Sequence, residues 1–186
     1  MKSRLVCLLV LAATSVFSTT LEKLALDDMI LKSTEIVRGR VTGISALRRG
    51  ALILTQVQVT VAERWKGPEA SSVDVFLHGG TFQGLRQTFS GTPDLREGSE
   101  YVFFLWAGKS GNRQIIGLSQ GVLDIQVPAS EPGKPSSGGA QLLAHRAAIA
   151  DMIDAKTEQP VDDPGFTIKL DQLRARVNRV LRTERQ

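Results

Sequence analysis

A strictly alternating stretch near the middle of the chain restricts the possible folds more than any other feature of the sequence. Along residues 55 to 62, Thr55, Val57, Val59 and Val61 alternate with Gln56, Gln58, Thr60 and Ala62. Successive side chains of a β-strand point to opposite faces, so a period of two is typical of a strand buried on one face only. The stretch therefore predicts a β-strand with one face toward a core and the other toward water.

The rest of the chain extends this β pattern. Further strands are predicted at residues 35–44, 73–77 and 101–106 and, as a pair or one long bent strand, at 114–127, with helices at 27–33 and 169–184. Because strands and helices do not alternate, a doubly wound parallel sheet is not expected. We predict an α+β, mainly β chain. Its centre would be a five-stranded antiparallel barrel like the oligonucleotide/oligosaccharide-binding (OB) fold, with a short N-terminal helix and a C-terminal amphipathic helix.

The first 18 residues have the three parts of a cleavable signal peptide. Lys2 and Arg4 precede an apolar run over residues 5–13, and small residues lead to a cleavage site after Ser18. This run is too short for a helix that spans a membrane, which needs about 20 apolar residues. We therefore expect a secreted or periplasmic protein that begins at Thr19.

Removal of this segment changes the composition of the working protein. Cys7, the one cysteine of the chain, would be lost, so no disulfide is expected. The charged residues fall to 21 basic against 19 acidic, so the net charge drops from +4 to +2. Such a weak basic excess, together with export, argues against a nucleic-acid partner.

The C-terminal third is divided by a stretch of prolines, glycines and serines. We assign residues 19–127 to the OB-like domain, 128–139 to a linker or exposed loop, and 140–186 to a C-terminal segment. Apolar residues at 142, 149, 152 and 153 indicate a helix stripe, although a hairpin at 140–160 stays open.

The predicted helix at about 169–184 is the clearest element of this segment. Its apolar positions recur at helical spacing, and we expect them to dock on the barrel while the arginines face solvent. They are Leu170, Leu173, Val177 and Val180. The alternative is that the arginines contact an anionic membrane surface.

The order of several short segments carries a family resemblance. The segments are Ile36–Val41, Val57–Val61 with Glu63–Gly67, Val73–Phe76 before Gly79-Gly80, and Glu97–Leu105. They resemble bacterial exported proteins of unknown function whose barrel is similar to netrin modules and tissue inhibitors of metalloproteinases. The resemblance covers residues 27–127 and implies the fold. Those inhibitors approach a zinc ion through a mature N-terminal cysteine, which this chain lacks, so zinc-directed inhibition does not carry over.

A serine motif offers an enzymatic alternative. Gly117-Leu118-Ser119-Gln120-Gly121 matches the nucleophile elbow of serine hydrolases, and Asp124 and His145 follow in the right order for an acid and a base. The elbow requires a strand, a sharp turn and then a helix, whereas an alternating strand-like segment follows Ser119 here. We therefore predict a chain without catalytic residues, with a small serine hydrolase using Ser119 and His145 as the alternative.

The sequence offers no metal or cofactor site. His78 and His145 have no cysteine or third ligand at metal-binding spacing, and we expect them in solvated loops or strand ends. The acidic pairs Asp27-Asp28 and Asp162-Asp163 lack the alternating oxygen ligands of a calcium loop, and we interpret them as a helix start and a turn.

Residues 81–99 form the candidate binding segment. They show neither helix nor strand period and are predicted to be a long loop, a kind of segment that is often functional. The candidate site residues are Phe82, Leu85, Arg86 and Phe89, because aromatic residues and arginine are favoured in interfaces. The equal alternative is that the apolar ones fold back over the barrel end. The predicted function is an exported binding or accessory module for a protein or another envelope component; a second alternative is an inhibitor acting through residues 81–99.

Overall fold

The computed structural model of the protein describes residues 21–108, 111–128, 141–154, 157 and 159–184. The predicted signal peptide lies outside the described residues, as does the predicted linker after its first residue. The described part contains thirteen strands, two α-helices and one turn of 3₁₀ helix at Leu118–Gly121. The prediction of an α+β, mainly β chain is confirmed.

The elements follow one another along the chain in a β-rich order. They are β1 Leu21–Glu22, α1 Leu26–Lys32, β2 Glu35–Arg49, β3 Leu52–Lys66, β4 Ser72–His78, β5 Gly80–Phe82, β6 Leu85–Gln87, β7 Glu100–Ala107, β8 Arg113–Ile115, β9 Val122–Gln126, β10 Leu143–Arg146, β11 Ile149–Ile153, β12 Pro160–Asp163, β13 Phe166–Lys169 and α2 Leu170–Thr183.

One sheet of eight strands organises the molecule, in the order β13-β10-β9-β7-β2-β3-β4-β8. Its neighbours pair antiparallel except β4 and β8, which are parallel and joined by the single pair Val75↔Arg113. β8 also pairs with β7, so the strands from β7 through β2, β3 and β4 to β8 lead back to β7. A three-stranded sheet, β1-β11-β12, and the hairpin β5-β6 lie beside this sheet.

The predicted alternation of β3 matches its burial. Val57 and Val59 are fully buried, whereas Gln58 and Thr60 on the other face are exposed. The valines join the first of two cores, which the inner faces of β2, β3, β4 and β7 enclose. The period-two pattern therefore identified the core-facing side of this strand correctly.

Strand β7 separates the two cores. Phe103 belongs to the first core, and Phe104 belongs to a second core between the sheet and the helices. Both rings are fully buried. Met29 from α1 and Leu173 from α2 complete the second core. A strand covered on both faces has apolar residues at consecutive positions, which explains the unbroken apolar run in the sequence.

The prediction of a loop throughout residues 81–99 is wrong at its start. The short antiparallel hairpin β5-β6 occupies the first part, and the chain is irregular only from residue 88 onward. Each strand of this hairpin has three residues. Three residues are too few for an alternation to be recognised in the sequence, because a period needs four or more positions.

The prediction of a helix stripe through residues 142 to 153 is also wrong. This segment forms β10 and β11, and β10 pairs with β9 on one side and β13 on the other. The apolar spacing coincided with a helical period, but pairing with distant strands decided the structure. Tertiary context of this kind commonly overrides a weak local preference.

Helix α2 docks on the second core through Leu170, Leu173, Val177 and Leu181, which are all buried. Its described arginines lie on the exposed side of the helix, with Arg176 half-buried, and two of them also form ion pairs with other elements. Arg174 forms an ion pair with Glu63 of β3 at 3.1 Å, and Arg176 pairs with Asp27 of α1 at 2.8 Å. The hydrogen bond from Arg176 lowers the pKa of Asp27 below its usual value, against the opposing effect of burial.

The Asp27–Arg176 pair predicts a dependence of stability on acid. Because folding lowers the pKa of Asp27, its contribution is fully present above the unfolded pKa near 4 and is lost as pH falls through the folded pKa. Urea unfolding between pH 2.5 and 7 should show Asp27→Asn less stable at neutral pH by up to about 1 kcal/mol and equal to wild type in acid. Asp28→Asn, which removes the adjacent exposed carboxylate, is the control. A difference that persists unchanged at pH 2.5 would contradict the pairing.

Two buried ionic clusters join elements that are far apart in sequence. Glu35 of β2 accepts hydrogen bonds from Arg64 of β3 at 2.7 Å and from Arg113 of β8 at 2.6 Å. Arg146 of β10 contacts both carboxylate oxygens of Asp163 in β12 at 2.5 Å. Asp163, interpreted as a turn residue, ends β12 and accepts a hydrogen bond from Gly165 in the connection to β13, but its side chain is buried in this ion pair rather than solvated.

Candidate binding site

The hairpin β5-β6 forms one wall of the candidate site. Its two-residue turn has positive φ at both Gln83 and Gly84, 49° and 81°, which is the turn geometry that suits the twist of a short hairpin. The side chain of Gln87 ties the hairpin to the main sheet, because its Oε1 accepts a hydrogen bond from the backbone N–H of Ile53 at 2.8 Å. The wall is therefore held in place by β3.

Only two of the four candidate residues of this segment line a cavity. Arg86 and Phe89 line a cavity of about 410 Å³, hereafter cavity A, whereas Phe82 and Leu85 do not. Leu85 is 57% exposed and Phe82 is half-buried. The apolar side chains therefore do not form a common lid: Leu85 points to solvent, and Phe89 stands at the rim of the cavity.

Cavity A lies where β4 ends and the hairpin begins. Its walls come from β3, from the end of β4, from the hairpin and from residues 92–95. The imidazole of His78 packs against the ring of Phe89, with 5.6 Å between the ring centroids. Gly80 fits beside β3 because a Cβ there would lie 2.5 Å from Thr55 Oγ1. The cavity therefore has one aromatic side and one wall of closely approaching backbone.

Some polar groups of cavity A hydrogen-bond within the protein, and others are available to a ligand. The hydroxyl of Thr55 donates to the carbonyl of Gly79, and that of Thr92 donates to the carbonyl of His78. Among the described residues Arg86 makes no ion pair or side-chain hydrogen bond, and Asp94 faces only Arg96, at 3.9 Å. The site thus offers a guanidinium and a carboxylate to a ligand, beside an aromatic face.

A second cavity of about 360 Å³, hereafter cavity B, adjoins the first. Its floor contains a row of side chains at matching register positions on neighbouring strands: Tyr101 of β7 pairs with Asp124 of β9, and Asp124 with His145 of β10. Thr167 of β13 continues the row, with its Oγ1 3.0 Å from His145 Nδ1. Paired residues share one face of a sheet, so the row presents hydroxyl, carboxylate and imidazole groups side by side.

Ser119 also lines cavity B, together with Asp124 and His145. The three residues of the hydrolase alternative therefore meet in one cavity, which the spacing of the motif could not show. Within the described part, however, no hydrogen bond joins Ser119 to His145, whose Nδ1 contacts Thr167 instead. Ser119 itself lies within a single 3₁₀ turn and strand β9 follows, as the alternating sequence indicated, so among the described residues no α-helix N-terminus faces the serine.

The turn that carries Ser119 is fixed by a buried glutamine. Gln120 is fully buried, its Oε1 accepts from the backbone N–H of Leu24 at 2.8 Å, and its Nε2 donates to the carbonyl of Glu22 at 2.8 Å. The backbone N–H of Ser119 itself donates to the carbonyl of Gly91. The floor of cavity B is thus held by the segment around β1.

Several residues around the cavities had no sequence signal. Asp94 and Arg96 are isolated polar residues in a loop and Thr167 lies within β13, and nothing in their spacing indicates a site. Their position follows from strand register and from the path of residues 88–99. A prediction of the β9-β10-β13 pairing would have been the one signal capable of aligning Thr167 with His145.

Two other kinds of site are absent from the described residues. No group of three or more histidine, cysteine, aspartate or glutamate side chains in these residues could hold a metal ion. None of the described helices is both long enough and apolar enough to cross a membrane. Comparison of the chain with protein-family models, curated proteins and solved structures finds no match.

Proposed function

We propose that this chain is an exported binding module without catalytic activity, and that it holds its ligand in cavity A. The observation that carries the proposal is the cavity itself. It has the volume of a small-ligand pocket, one aromatic rim from Phe89 and His78, and both Arg86 and Asp94 among its lining residues. A pocket of this kind suits a small group that offers both hydrogen-bond donors and acceptors together with one apolar face.

The proposal also includes the type of fold and the cellular location of the protein. The cycle of pairings from β7 through β2, β3, β4 and β8 supports a five-stranded barrel of the OB type, in line with the resemblance to the netrin and metalloproteinase-inhibitor barrel. The proposed signal peptide over residues 1–18 would deliver this barrel to the periplasm or the exterior. A partner in the cell envelope follows from that location.

A titration with single-unit probes tests the binding function. The probes are monosaccharides and N-acetylated amino-acid amides, and amide resonances of the ¹⁵N-labelled mature chain report their binding. We expect at least one probe to shift the resonances of residues 78–80 and 86–95. Phe89→Ala and Arg86→Ala should each weaken that probe at least tenfold. Leu85→Ala is the matched control, because Leu85 belongs to the same hairpin but does not line the cavity.

Two results would contradict the proposal. One is that no probe shifts the resonances around cavity A. The other is that Leu85→Ala weakens binding as much as Phe89→Ala, which would move the site to the exposed tip of the hairpin. The second result would favour a protein-binding surface, as the inhibitor-like alternative requires.

A second candidate function, serine hydrolysis, is favoured by one observation. Ser119, Asp124 and His145 line cavity B together. A fluorophosphonate probe separates the candidates, because it labels an activated serine covalently. We expect no labelling of the wild-type chain. Labelling that disappears in Ser119→Ala would establish the hydrolase and overturn the non-catalytic proposal.

A further inference from the structure

We propose that cavities A and B are two subsites of one cleft, and that the ligand of this cleft is a neutral oligosaccharide lying across residues 93–95. The inference rests on the proposed binding function and deepens it. It names the ligand class and extends the site beyond the hairpin.

The two cavities share a wall. Pro93, Asp94 and Leu95 line both of them. Leu95 is anchored in the first core, whereas the side chain of Asp94 is 88% exposed. Leu95 therefore fixes the backbone of this segment, whereas the carboxylate of Asp94 lies exposed between the two cavities. A ligand longer than one cavity would cross it and meet Asp94 from either side.

The row on the floor of cavity B gives the cleft its length. Tyr101, Asp124 and His145, which line cavity B, stand on three neighbouring strands, and Thr167 of β13 continues the row beyond the cavity lining. Neighbouring strands lie about 4.8 Å apart, so the three lining residues span roughly 10 Å across the sheet. Tyr101 at the inner end is buried, whereas Thr167 beyond the outer end is exposed. This length exceeds that of a single sugar unit, and together with cavity A it suits several units in line.

The charges of the cleft favour a neutral ligand. Cavity A has Arg86, cavity B has Arg96 and Asp124, and Asp94 belongs to both. An anionic ligand would meet a carboxylate in each cavity, and a cationic ligand would meet a guanidinium in each. An apolar ligand would desolvate all of these groups without replacing their hydrogen bonds, which is costly. A ligand dense in hydroxyl groups satisfies donors and acceptors alike.

The backbone around the cleft favours a sugar over an extended peptide. A peptide that adds to a sheet needs a strand edge with unpaired backbone groups. The strands that carry the inner three residues of the row are each paired on both sides: β7 with β2 and β9, β9 with β7 and β10, and β10 with β9 and β13. On the floor of cavity B, recognition must therefore come from side chains. Phe89, which is 39% exposed, offers an aromatic face against which a sugar ring can pack.

A length series of saccharides tests the inference. The probes are linear oligomers of glucose, N-acetylglucosamine, mannose and galactose with one to six units, titrated calorimetrically into the mature chain. We expect at least one series to bind at least tenfold more tightly at six units than at two, because the longer oligomer fills both cavities.

Substitutions in either cavity should remove the gain in affinity that six sugar units have over two. Phe89→Ala in cavity A and His145→Ala in cavity B should each weaken the six-unit oligomer at least tenfold. Asp124→Asn, which changes the floor of cavity B with little change of shape, should act in the same direction. Leu85→Ala and Lys169→Ala are the controls, because both residues are exposed near the cleft but line neither cavity.

The possible failures are distinguishable. Equal affinity for two and six units, or full affinity in His145→Ala, would overturn the two-subsite inference while leaving binding in cavity A intact. Binding of amino-acid amides but of no saccharide would overturn the ligand class alone. If no probe of either kind affects cavity A, both the inference and the proposed function fail.

Discussion

Replacing Glu35 with alanine is expected to lower the free energy of unfolding by about 3–5 kcal/mol. The side chains of Glu35 and Arg64 are each only 4% exposed, and Arg113 also donates to this carboxylate. Removal of the carboxylate leaves the guanidinium of Arg64 buried without its counter-charge, which costs far more than a surface ion pair contributes. The loss is large because Glu35 connects β2, β3 and β8.

Urea unfolding of wild type and variants measures this effect. Glu69→Ala, which removes an exposed glutamate, is the matched control and should change stability by no more than about 0.5 kcal/mol. The double variant Glu35→Met with Arg64→Met should recover much of the loss, because apolar replacement of a buried pair removes both desolvation penalties. A loss below about 1 kcal/mol in Glu35→Ala would show that the cluster is hydrated in solution.

The second large effect is expected at Asp163, where alanine should also cost about 3–5 kcal/mol. Asp163 accepts from the guanidinium of Arg146, which is 5% exposed and lies over the ring of Phe166 at 4.8 Å. The pair joins β10 of the main sheet to β12 of the three-stranded sheet. Without this pair, we expect β1, β11 and β12 to open locally more often than the rest of the molecule.

Hydrogen exchange combined with urea unfolding distinguishes this local effect from a global one. Asp163→Ala should speed the exchange of amides in β11 and β12 more than that of amides in β3. Asp162→Ala is the control, because its side chain is exposed and adjacent in sequence. If Asp162→Ala and Asp163→Ala were equally stable, the ion pair would have no role in holding the two sheets together.

Neither of these clusters could be predicted from the sequence. Glu35 opens a strand and Asp163 ends one, positions where an acidic residue is ordinarily solvated. Their partners lie 17 to 78 residues away in the chain. A local sequence pattern does not indicate which distant residues will form an ion pair. The alternation of β3 and the helical spacing of α2 were predictable because burial on one face imposes a period on consecutive residues.

The candidate site was predictable only in part, for the same reason. Residue type pointed to Arg86 and Phe89, which line cavity A, but it pointed equally to Leu85, which does not. The serine motif brought together residues that share cavity B, although the helix that the motif requires is absent from the described segment after Ser119. The row from Tyr101 to Thr167 depends on the pairing of four strands, and sequence spacing does not encode their register.

The pairing of β10 and β13 with β9 determines when the chain can finish folding. The first core is complete once Val122 of β9 has been made, but the second core needs α2, which ends at Thr183. Until then the second core around Ile36 and Phe104 is covered only by α1 and β9 and lacks the apolar residues of α2. A chain ending near residue 127 would keep this apolar surface open to solvent and to other copies of itself. The last sixty residues therefore complete the second core, and we expect a chain truncated before them to aggregate more readily than the full chain.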